Sequence, residues 1–240
     1  MSQPKDAPPL PRRFYERASV AERDGGFGVN LDARTLRTPG GVVFVAPTQA
    51  LAQLCADEWA AQGEHIIPAS MMASQLAFAT LDWTAKNRDD ICDYVAKFGE
   101  TDLCCHRAET PQELVARQTV HWDPLVAWGE KKLGVRLPVV NGVLAADVDA
   151  GALAALRAQA AAFDDFKLTA LAQATGLAGS ALIGFAVAHC ELEAERAFQA
   201  AALDNLWALE QWGEDAEGRA RLDRQRAEFV SLARYLEALQ

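Results

Sequence analysis

The strongest constraint on the fold is a change in residue pattern at Pro47. Before it, Asp24-Gly25-Gly26 marks a turn, and Phe27, Val29 and Leu31 then alternate with small or polar residues. That period of two is typical of a half-buried strand. After it, apolar residues recur at helical spacing and alanine is frequent. Because strands precede helices, the sequence predicts an α+β fold, with a small N-terminal antiparallel β domain followed by a larger C-terminal all-helical domain.

The same pattern divides the chain into three parts. Residues 1–12 form a Pro-rich flexible leader, residues 13–65 the β-rich domain, and residues 66–240 the helical domain, with the boundary between 47 and 68. Thr48 is predicted to cap a helix through Trp59. A second helix is predicted from Met71 to Ala85, on the spacing of its apolar residues.

Further helix boundaries follow from local signals. Thr110-Pro111-Gln112-Glu113 has the form of a capping box and opens a helix. Pro124 is expected to start a new helix, since proline favours the first turn. Breaks are also expected near Gly176 and Gly213.

The charge of the chain excludes several classes of partner. Its 240 residues carry a formal net charge of −10, which argues against nucleic acid and against anionic membranes. The excess is concentrated in residues 191–217, the acidic band, where eight acidic residues face one base, Arg196. A solvated acidic face and a protein-binding face both explain this band.

Targeting and membrane signals are missing from the pattern. The start of the chain has no apolar core typical of a secretory signal and makes a poor transit peptide. No apolar run reaches the roughly 18 residues of a membrane span. The chain has five cysteines, an odd number, and no CxxC motif, so neither a disulfide framework nor a metal site is predicted.

Catalytic motifs are equally sparse. The chain has no Gly-Lys dipeptide, which excludes a P-loop, and no HExxH. Cys105 with His106, and the carboxylates of Glu210, Glu214 and Glu217, are the only candidates for hydrolytic chemistry. We predict no catalytic, cofactor-binding or metal-binding residues and no small-molecule substrate.

The six tryptophans carry more information. Spacing alone predicts that Trp59, Trp83 and Trp207 lie in the core. It does not decide whether Trp122, Trp128 and Trp212 lie in the core or at a binding surface. Two tryptophans lie beside carboxylates at helix boundaries, in Trp122-Asp123-Pro124 and in Trp212-Gly213-Glu214-Asp215. Tryptophan is enriched in binding hot spots but is also a common core residue.

These motifs resemble those of a known family, the assembly chaperones that act on the alpha subunit of the F-type ATP synthase catalytic sector, found in mitochondria and alphaproteobacteria. The resemblance runs from about Arg12 to the C-terminus. The segments that carry it are Arg12-Arg13-Phe14-Tyr15, Gly25-Gly26-Phe27, Leu31-Asp32, Arg37-Thr38-Pro39, Glu58-Trp59, Gln62, Thr101-Asp102-Leu103, Arg107-Ala108-Glu109, Gln118, Trp122-Asp123-Pro124, Gly179-Ser180 and Trp212-Gly213-Glu214-Asp215.

The chain departs from the family pattern at several positions. The family usually has Met-Pro-Leu-Thr in place of Met71-Met72-Ala73-Ser74, and tyrosine in place of His106. An Asp-Glu pair followed by an aromatic residue and Gln is usual where this chain has Asp204-Asn205 and then Trp207-Ala208.

The resemblance implies a non-enzymatic chaperone. It would bind the unassembled alpha subunit and prevent its aggregation until beta subunits replace it. It would need no cofactor and would work in the bacterial cytoplasm, or in the mitochondrial matrix for eukaryotic relatives. The acidic band and the tryptophan motifs lead us to expect the partner-binding residues to be Trp212, Glu214, Asp215, Glu210, Trp122 and Asp123.

Two alternatives stay open on the sequence. One is a generic holdase without a single client, and the other is a hydrolase that uses the carboxylates or Cys105 with His106.

Overall fold

The first region is a small sheet with two helices. In the computed structural model, which describes residues 9–142, 147–213 and 215–240, three antiparallel strands lie in the order β1 (Ala18–Arg23), β2 (Gly26–Leu31) and β3 (Arg34–Thr35). Gly25 has φ +83 in the β1–β2 turn, a conformation that favours glycine. The predicted antiparallel β region is confirmed.

Two helices follow the strands, and side chains cap both of them. Helix α1 (Gln49–Ala60) begins as predicted, because the Thr48 hydroxyl accepts from the backbone N–H of Leu51 at 3.1 Å. Helix α2 (Met72–Asp82) is capped from outside, since both oxygens of Glu58 accept N–H groups of Ala73 and Ser74, each at 2.8 Å. Burial raises the pKa of Glu58 above its ordinary value. The Glu58-Trp59 motif therefore joins the end of α1 to the start of α2.

The N-terminal segment is attached to the end of α1 by polar contacts. The guanidinium of Arg13 donates to the carbonyls of Ala60 and Gln62. The hydroxyl of Tyr15, which is buried, donates to the carbonyl of Trp59 at 2.7 Å. These contacts give the Arg12–Tyr15 motif a structural role.

The chain divides into two compact units. We call the residues up to Asp82, together with Ala238–Gln240, the N-terminal unit, and Trp83–Glu237 the helical unit. The sequence placed the boundary at 65, within 47–68, whereas the structure places it after Asp82. The reason is that α1 packs on β1 and β2, and α2 packs on α1, so both helices belong with the sheet.

The helical unit has most of the helices in the part of the chain that the structure describes. They are α3 (Arg88–Lys97), α4 (Gln112–Trp128), α5 (Ala150–Ala161), α6 (Asp165–Ala178), α7 (Ala181–Ala188), α8 (Ala194–Ala201), α9 (Leu203–Trp212) and α10 (Ala216–Glu237). A short parallel pair, β4 (His106–Arg107) and β5 (Val140–Asn141), accompanies them. The α+β class is thus confirmed, although this pair means that the second part is not all-helical.

Several predicted helix boundaries need correction. Pro111 is the N-cap residue of α4 and no side chain caps that helix, so the predicted capping box does not form. Helix α4 continues through Pro124 instead of restarting there. Helix α6 continues past Gly176 and ends before Gly179, which has φ +67. The break at Gly213 is confirmed, since α9 ends at Trp212.

A buried carboxylate organises the interior of the helical unit. Asp102 accepts the Ser180 hydroxyl at 2.7 Å, the N–H of Cys104 at 3.0 Å and the N–H of Leu182 at 3.1 Å. Burial raises the pKa of Asp102 above its ordinary value. These bonds join the turn before β4 to the start of α7, where Ser180 is the N-cap residue. They account for the Thr101-Asp102-Leu103 and Gly179-Ser180 motifs.

A membrane-spanning helix must be both long and apolar. Among the residues that the structure describes, no helix meets both conditions.

Candidate functional site

An open cavity of about 720 Å³ lies within the helical unit. Its walls come from β4, from the first half of α4 and from α9, and we call it the α4–α9 cavity. The side chains that matter below are Arg107, Gln118, Asp204, Trp207 and Trp212, all of which line it. It combines aromatic surface with a few fixed polar groups, as binding sites commonly do.

Trp122 lies behind this cavity and not on its surface. Its side chain is fully buried, and its indole N–H donates to the carbonyl of Ala200 at 2.8 Å. The Arg107 guanidinium lies 5.4 Å from the centroid of the indole ring. In this structure Trp122 cannot contact a partner directly, contrary to the sequence-based expectation, because it fills the core where α4 meets α8.

Asp123 lies at the surface, where it neutralises a buried cation. The Arg107 side chain is only 6% exposed, whereas Asp123 is 57% exposed, and their charged atoms are 2.8 Å apart. The Arg107 Nε–H also donates to the carbonyl of Cys104 at 2.8 Å. The Trp122-Asp123 motif thus holds Arg107 in the cavity wall.

Gln118 links three elements of the cavity. Its side-chain oxygen accepts the N–H of Ala108, and its amide donates to the exposed carboxylate of Asp204, each at 2.8 Å. Gln118 is itself buried, whereas both bonds are only partly shielded from water. The contact fixes the start of α9 against α4.

Glu210 is paired and not free. Its carboxylate lies 2.7 Å from Arg117, and the Arg117 guanidinium lies 4.7 Å from the centroid of the Trp207 ring. Both partners of this ion pair are about half exposed, so the pair itself adds little stability. Its geometry nevertheless holds the Glu210 side chain beside Arg117, which in turn lies over the Trp207 ring.

Other members of the acidic band are also paired with bases outside it. Glu195 lies 2.6 Å from Arg226, and Glu191 lies 3.3 Å from Lys132. The band is therefore less strongly negative as a surface than the sequence suggests.

Trp212 is the most exposed of the large apolar side chains in the described residues, with 83% of its surface accessible. It is the last residue of α9, and Gly213, with φ +88, turns the chain away after it. Asp215 accepts the N–H of Gly218 at 2.7 Å near the start of α10. Glu214, also predicted as a site residue, lies outside the described residues.

The assignments of the remaining tryptophans are mixed. Trp59 and Trp207 are buried, as predicted. Trp83 is 60% exposed, and the prediction of a core position was wrong. Helix α2 ends at Asp82, so the helical spacing that placed Trp83 with Thr80 no longer applies to it.

The chemistry expected of a hydrolase is poorly supported here. Burial, with the Asp102 carboxylate adding to the effect, raises the pKa of Cys105 to about 12. The thiol is therefore protonated near neutral pH and is a weak nucleophile. Among the described residues, no group of three or more His, Cys, Asp or Glu side chains could hold a metal ion.

Sequence reasoning missed the roles of Arg107, Arg117 and Asp204 at this cavity. Gln118 and the Arg107 segment belong to the family motifs, which was the only signal for them. No sequence motif pointed to Arg117, because its contacts with Glu210 and Trp207 come from α9, which is far away in the sequence.

Known proteins resemble this chain over most of its length. A family model described as "ATP12 chaperone protein" matches residues 12–130. The mitochondrial protein atp12 of Schizosaccharomyces pombe is 26% identical over 237 residues, covering 88% of this chain and 79% of that protein.

Solved bacterial structures agree with this match. Atp12 from Paracoccus denitrificans is 34% identical, with a TM-score of 0.89, covering 96% of this chain and 99% of that one. A point mutant of the same Paracoccus protein gives the same TM-score at 33% identity, covering 96% of this chain and 98% of that one. The Atu1473 protein from Agrobacterium tumefaciens is 39% identical, with a TM-score of 0.89, covering 96% of this chain and 87% of that one.

Proposed function

The chain belongs to the ATP12 chaperone family, and from this membership we propose that it binds the unassembled alpha subunit of ATP synthase and releases it when beta subunits take its place. Family membership establishes the coarser role, that of a chaperone in ATP synthase assembly and not an enzyme. An unassembled subunit exposes interface surface that aggregates readily. Covering that surface reversibly is the task we assign to this chain.

The observation that carries the proposal is the position of Trp212. It is a large aromatic side chain, 83% exposed, at the mouth of a cavity lined by fixed polar groups. An aromatic anchor surrounded by polar groups is typical of an interface hot spot. Solvent exposure of such a side chain has a cost that a bound partner would remove.

In this proposal, the acidic residues near Trp212 in the sequence increase the rate of binding and the selectivity for the partner. Glu210 and Asp215 lie close to it in sequence, and we include Glu214 on its position between them. Acidic groups at a rim speed encounter with a basic partner and disfavour wrong partners more than they add affinity. Asp123 contributes to the binding site indirectly, because its ion pair holds Arg107 in the cavity wall. Trp122 contributes in the same way, since its buried ring packs under the Arg107 guanidinium.

We also propose the bacterial cytoplasm as the place of action. Two of the solved relatives come from Paracoccus and Agrobacterium, whereas the Schizosaccharomyces protein is mitochondrial. Nucleic acid, membrane insertion and a small-molecule substrate have no part in this proposal.

Capture of purified, unassembled alpha subunit tests the proposal. Trp212→Ala should reduce capture by about tenfold or more, because the aromatic anchor is lost. Trp83→Ala is the matched control, since Trp83 is also an exposed tryptophan of the helical unit but does not line the α4–α9 cavity. Equal capture by the two variants would contradict the assigned site.

Co-purification from cells separates this proposal from a generic holdase. We expect the alpha subunit as the dominant associated protein. A broad mixture of unrelated proteins, with alpha in no excess, would instead support a holdase without a single client.

A further inference from the structure

A second cavity lies entirely within the N-terminal unit, and no part of the proposed function uses it. Its volume is about 640 Å³. Its walls include Phe14, Pro39, Ile66, Met71, Phe78 and Ala79. We call it the Phe14 groove.

Rigid residues hold the walls of the groove in place. The Phe78 ring packs against Phe44 at 6.1 Å and against Trp59 at 6.5 Å, centroid to centroid. The Phe14 ring meets Tyr15 edge to face at 5.3 Å. The site is therefore formed before any partner arrives, which lowers the entropic cost of binding.

The groove presents apolar surface to solvent. Phe14 is 56% exposed although it lines the cavity, and Ala79 is also exposed on α2. Contiguous exposed apolar surface, unlike a single exposed side chain, marks ligand-binding grooves and protein contact sites, and Phe14 and Ala79 line the same groove.

Charge in the groove is confined to one side chain that is already occupied. Asp82 accepts the Thr38 hydroxyl at 2.6 Å and the N–H of Gly40 at 2.9 Å. A Cβ at Gly40 would come within 2.5 Å of the Asp82 carboxylate, so the loop closes tightly on that group. Both oxygens of the Asp82 carboxylate already accept hydrogen bonds, and none of the described residues that line the groove is basic, so an anionic occupant finds no counter-ion there and an uncharged apolar occupant matches the walls.

The segment before the groove, residues 1–8, is a poor candidate for that occupant. Residues 1–8 precede Pro11, which also lines the groove, but their sequence, Met-Ser-Gln-Pro-Lys-Asp-Ala-Pro, has one large apolar side chain and two charges. A chaperone, in contrast, meets partners with apolar segments that are exposed before assembly.

We propose that the Phe14 groove binds a short, uncharged, apolar segment of the client polypeptide. The proposal rests on the chaperone role and adds a second contact to the one at the α4–α9 cavity. An apolar segment laid in the groove would cover Phe14 and the exposed face of α2, and the burial of apolar surface would drive the binding.

Binding of short peptides to the full-length protein tests the groove. The probes are fluorescein-labelled peptides tiled along the alpha subunit, measured by fluorescence anisotropy. Ala79→Trp fills the groove and should weaken the best apolar peptide by at least about tenfold. Ala50→Trp is the matched control, because Ala50 is an exposed helical alanine that does not line the groove. This variant should bind the same peptide with wild-type affinity.

A second variant removes surface instead of adding it. Phe14→Ala deletes the exposed ring, and we expect about fivefold weaker binding of the same peptide from the lost apolar contact. Unchanged binding in both Ala79→Trp and Phe14→Ala would overturn the proposal. The proposal would also be overturned if the wild-type protein forms dimers and the Ala79→Trp variant is monomeric. The occupant of the groove would then be a second copy of this chain.

Capture of intact alpha subunit, measured in parallel, separates this proposal from the proposed function. If wild type captures alpha but no peptide binds the groove, only the groove proposal fails. If apolar peptides bind in an Ala79-dependent way but alpha is not captured, the proposed function fails and the groove proposal stands.

Discussion

The α4–α9 cavity and the Phe14 groove offer a partner opposite kinds of surface. In the cavity, Arg107, Gln118 and Asp204 are fixed by ion pairs and hydrogen bonds beside an exposed tryptophan. In the groove, the walls are apolar and the single acid is already hydrogen-bonded. Fixed polar groups select a partner and its orientation, whereas apolar walls supply affinity with little selectivity. As part of our two proposals, we therefore assign partner selection to the α4–α9 cavity and apolar binding to the Phe14 groove.

The two units also share one structural device. Each uses a carboxylate shielded from water to some degree to cap the N-terminus of a helix, Glu58 for α2 and Asp102 for α7. The difference is the degree of burial, since Asp102 is completely enclosed and Glu58 only partly. We therefore expect the helical unit to depend more strongly on its carboxylate.

The largest predicted effect is on stability. Asp102→Ala should lower the free energy of unfolding by about 3 kcal/mol or more, because three buried donors lose their acceptor and a cavity remains. Urea denaturation followed by circular dichroism measures it. Asp223→Ala, an exposed aspartate on α10, is the control and should change stability by less than about 0.5 kcal/mol. A small effect of Asp102→Ala would contradict the role given to this carboxylate.

The next effect concerns the rate of partner binding. Reversing Glu210, Glu214 and Asp215 to lysine should slow association with alpha subunit by about tenfold or more at low salt, and less at high salt. Surface plasmon resonance at two salt concentrations measures it. A matched variant that carries Glu130→Lys, Asp223→Lys and Glu237→Lys reverses three exposed acids elsewhere on the helical unit and changes the net charge by the same amount. If association slows equally in both variants, the effect belongs to net charge and not to the acidic residues next to Trp212 in the sequence.

The smallest predicted effect is a pH dependence in the N-terminal unit. Burial raises the pKa of Glu58 above the ordinary value of 4.5, so the folded protein binds this proton more readily than the unfolded chain. The contribution of Glu58 to the free energy of unfolding therefore falls as pH rises from about 4.5 through the folded pKa.

Glu58→Gln should remove that contribution, so the free energy of unfolding of the variant, taken relative to wild type, should rise with pH across this window even where its absolute value is lower. Urea denaturation at several pH values measures the slope. Asp57→Asn, the exposed neighbour on α1, should keep the wild-type slope. If the free energy of unfolding of Glu58→Gln, taken relative to wild type, falls as pH rises, the direction of the shift is wrong.

Local signals in the sequence were sufficient for much of the fold. The turn at Gly25, the cap at Thr48 and the end of α9 at Gly213 depend on neighbouring residues, and all three were predictable. The capping box at Thr110 failed although its residues were correct, because no side chain of the segment bonds to the start of α4.

Contacts between distant residues could not be predicted from such signals. Asp102 and Ser180 are 78 positions apart, and their bond follows only from how α7 packs. Trp122 and Trp212 both stand beside acidic residues in the sequence, yet one is fully buried and the other is 83% exposed. Exposure depends on which face of a helix meets its neighbours, and that is a property of the tertiary fold.

The central claim is that Trp212 meets the alpha subunit. Its most direct test is a photo-crosslinking amino acid placed at position 212, with position 83 as the control, irradiated in the presence of unassembled alpha subunit and mapped by mass spectrometry. We expect a crosslink to alpha from position 212 and none, or far less, from position 83. Crosslinks from position 83 with none from position 212 would contradict it.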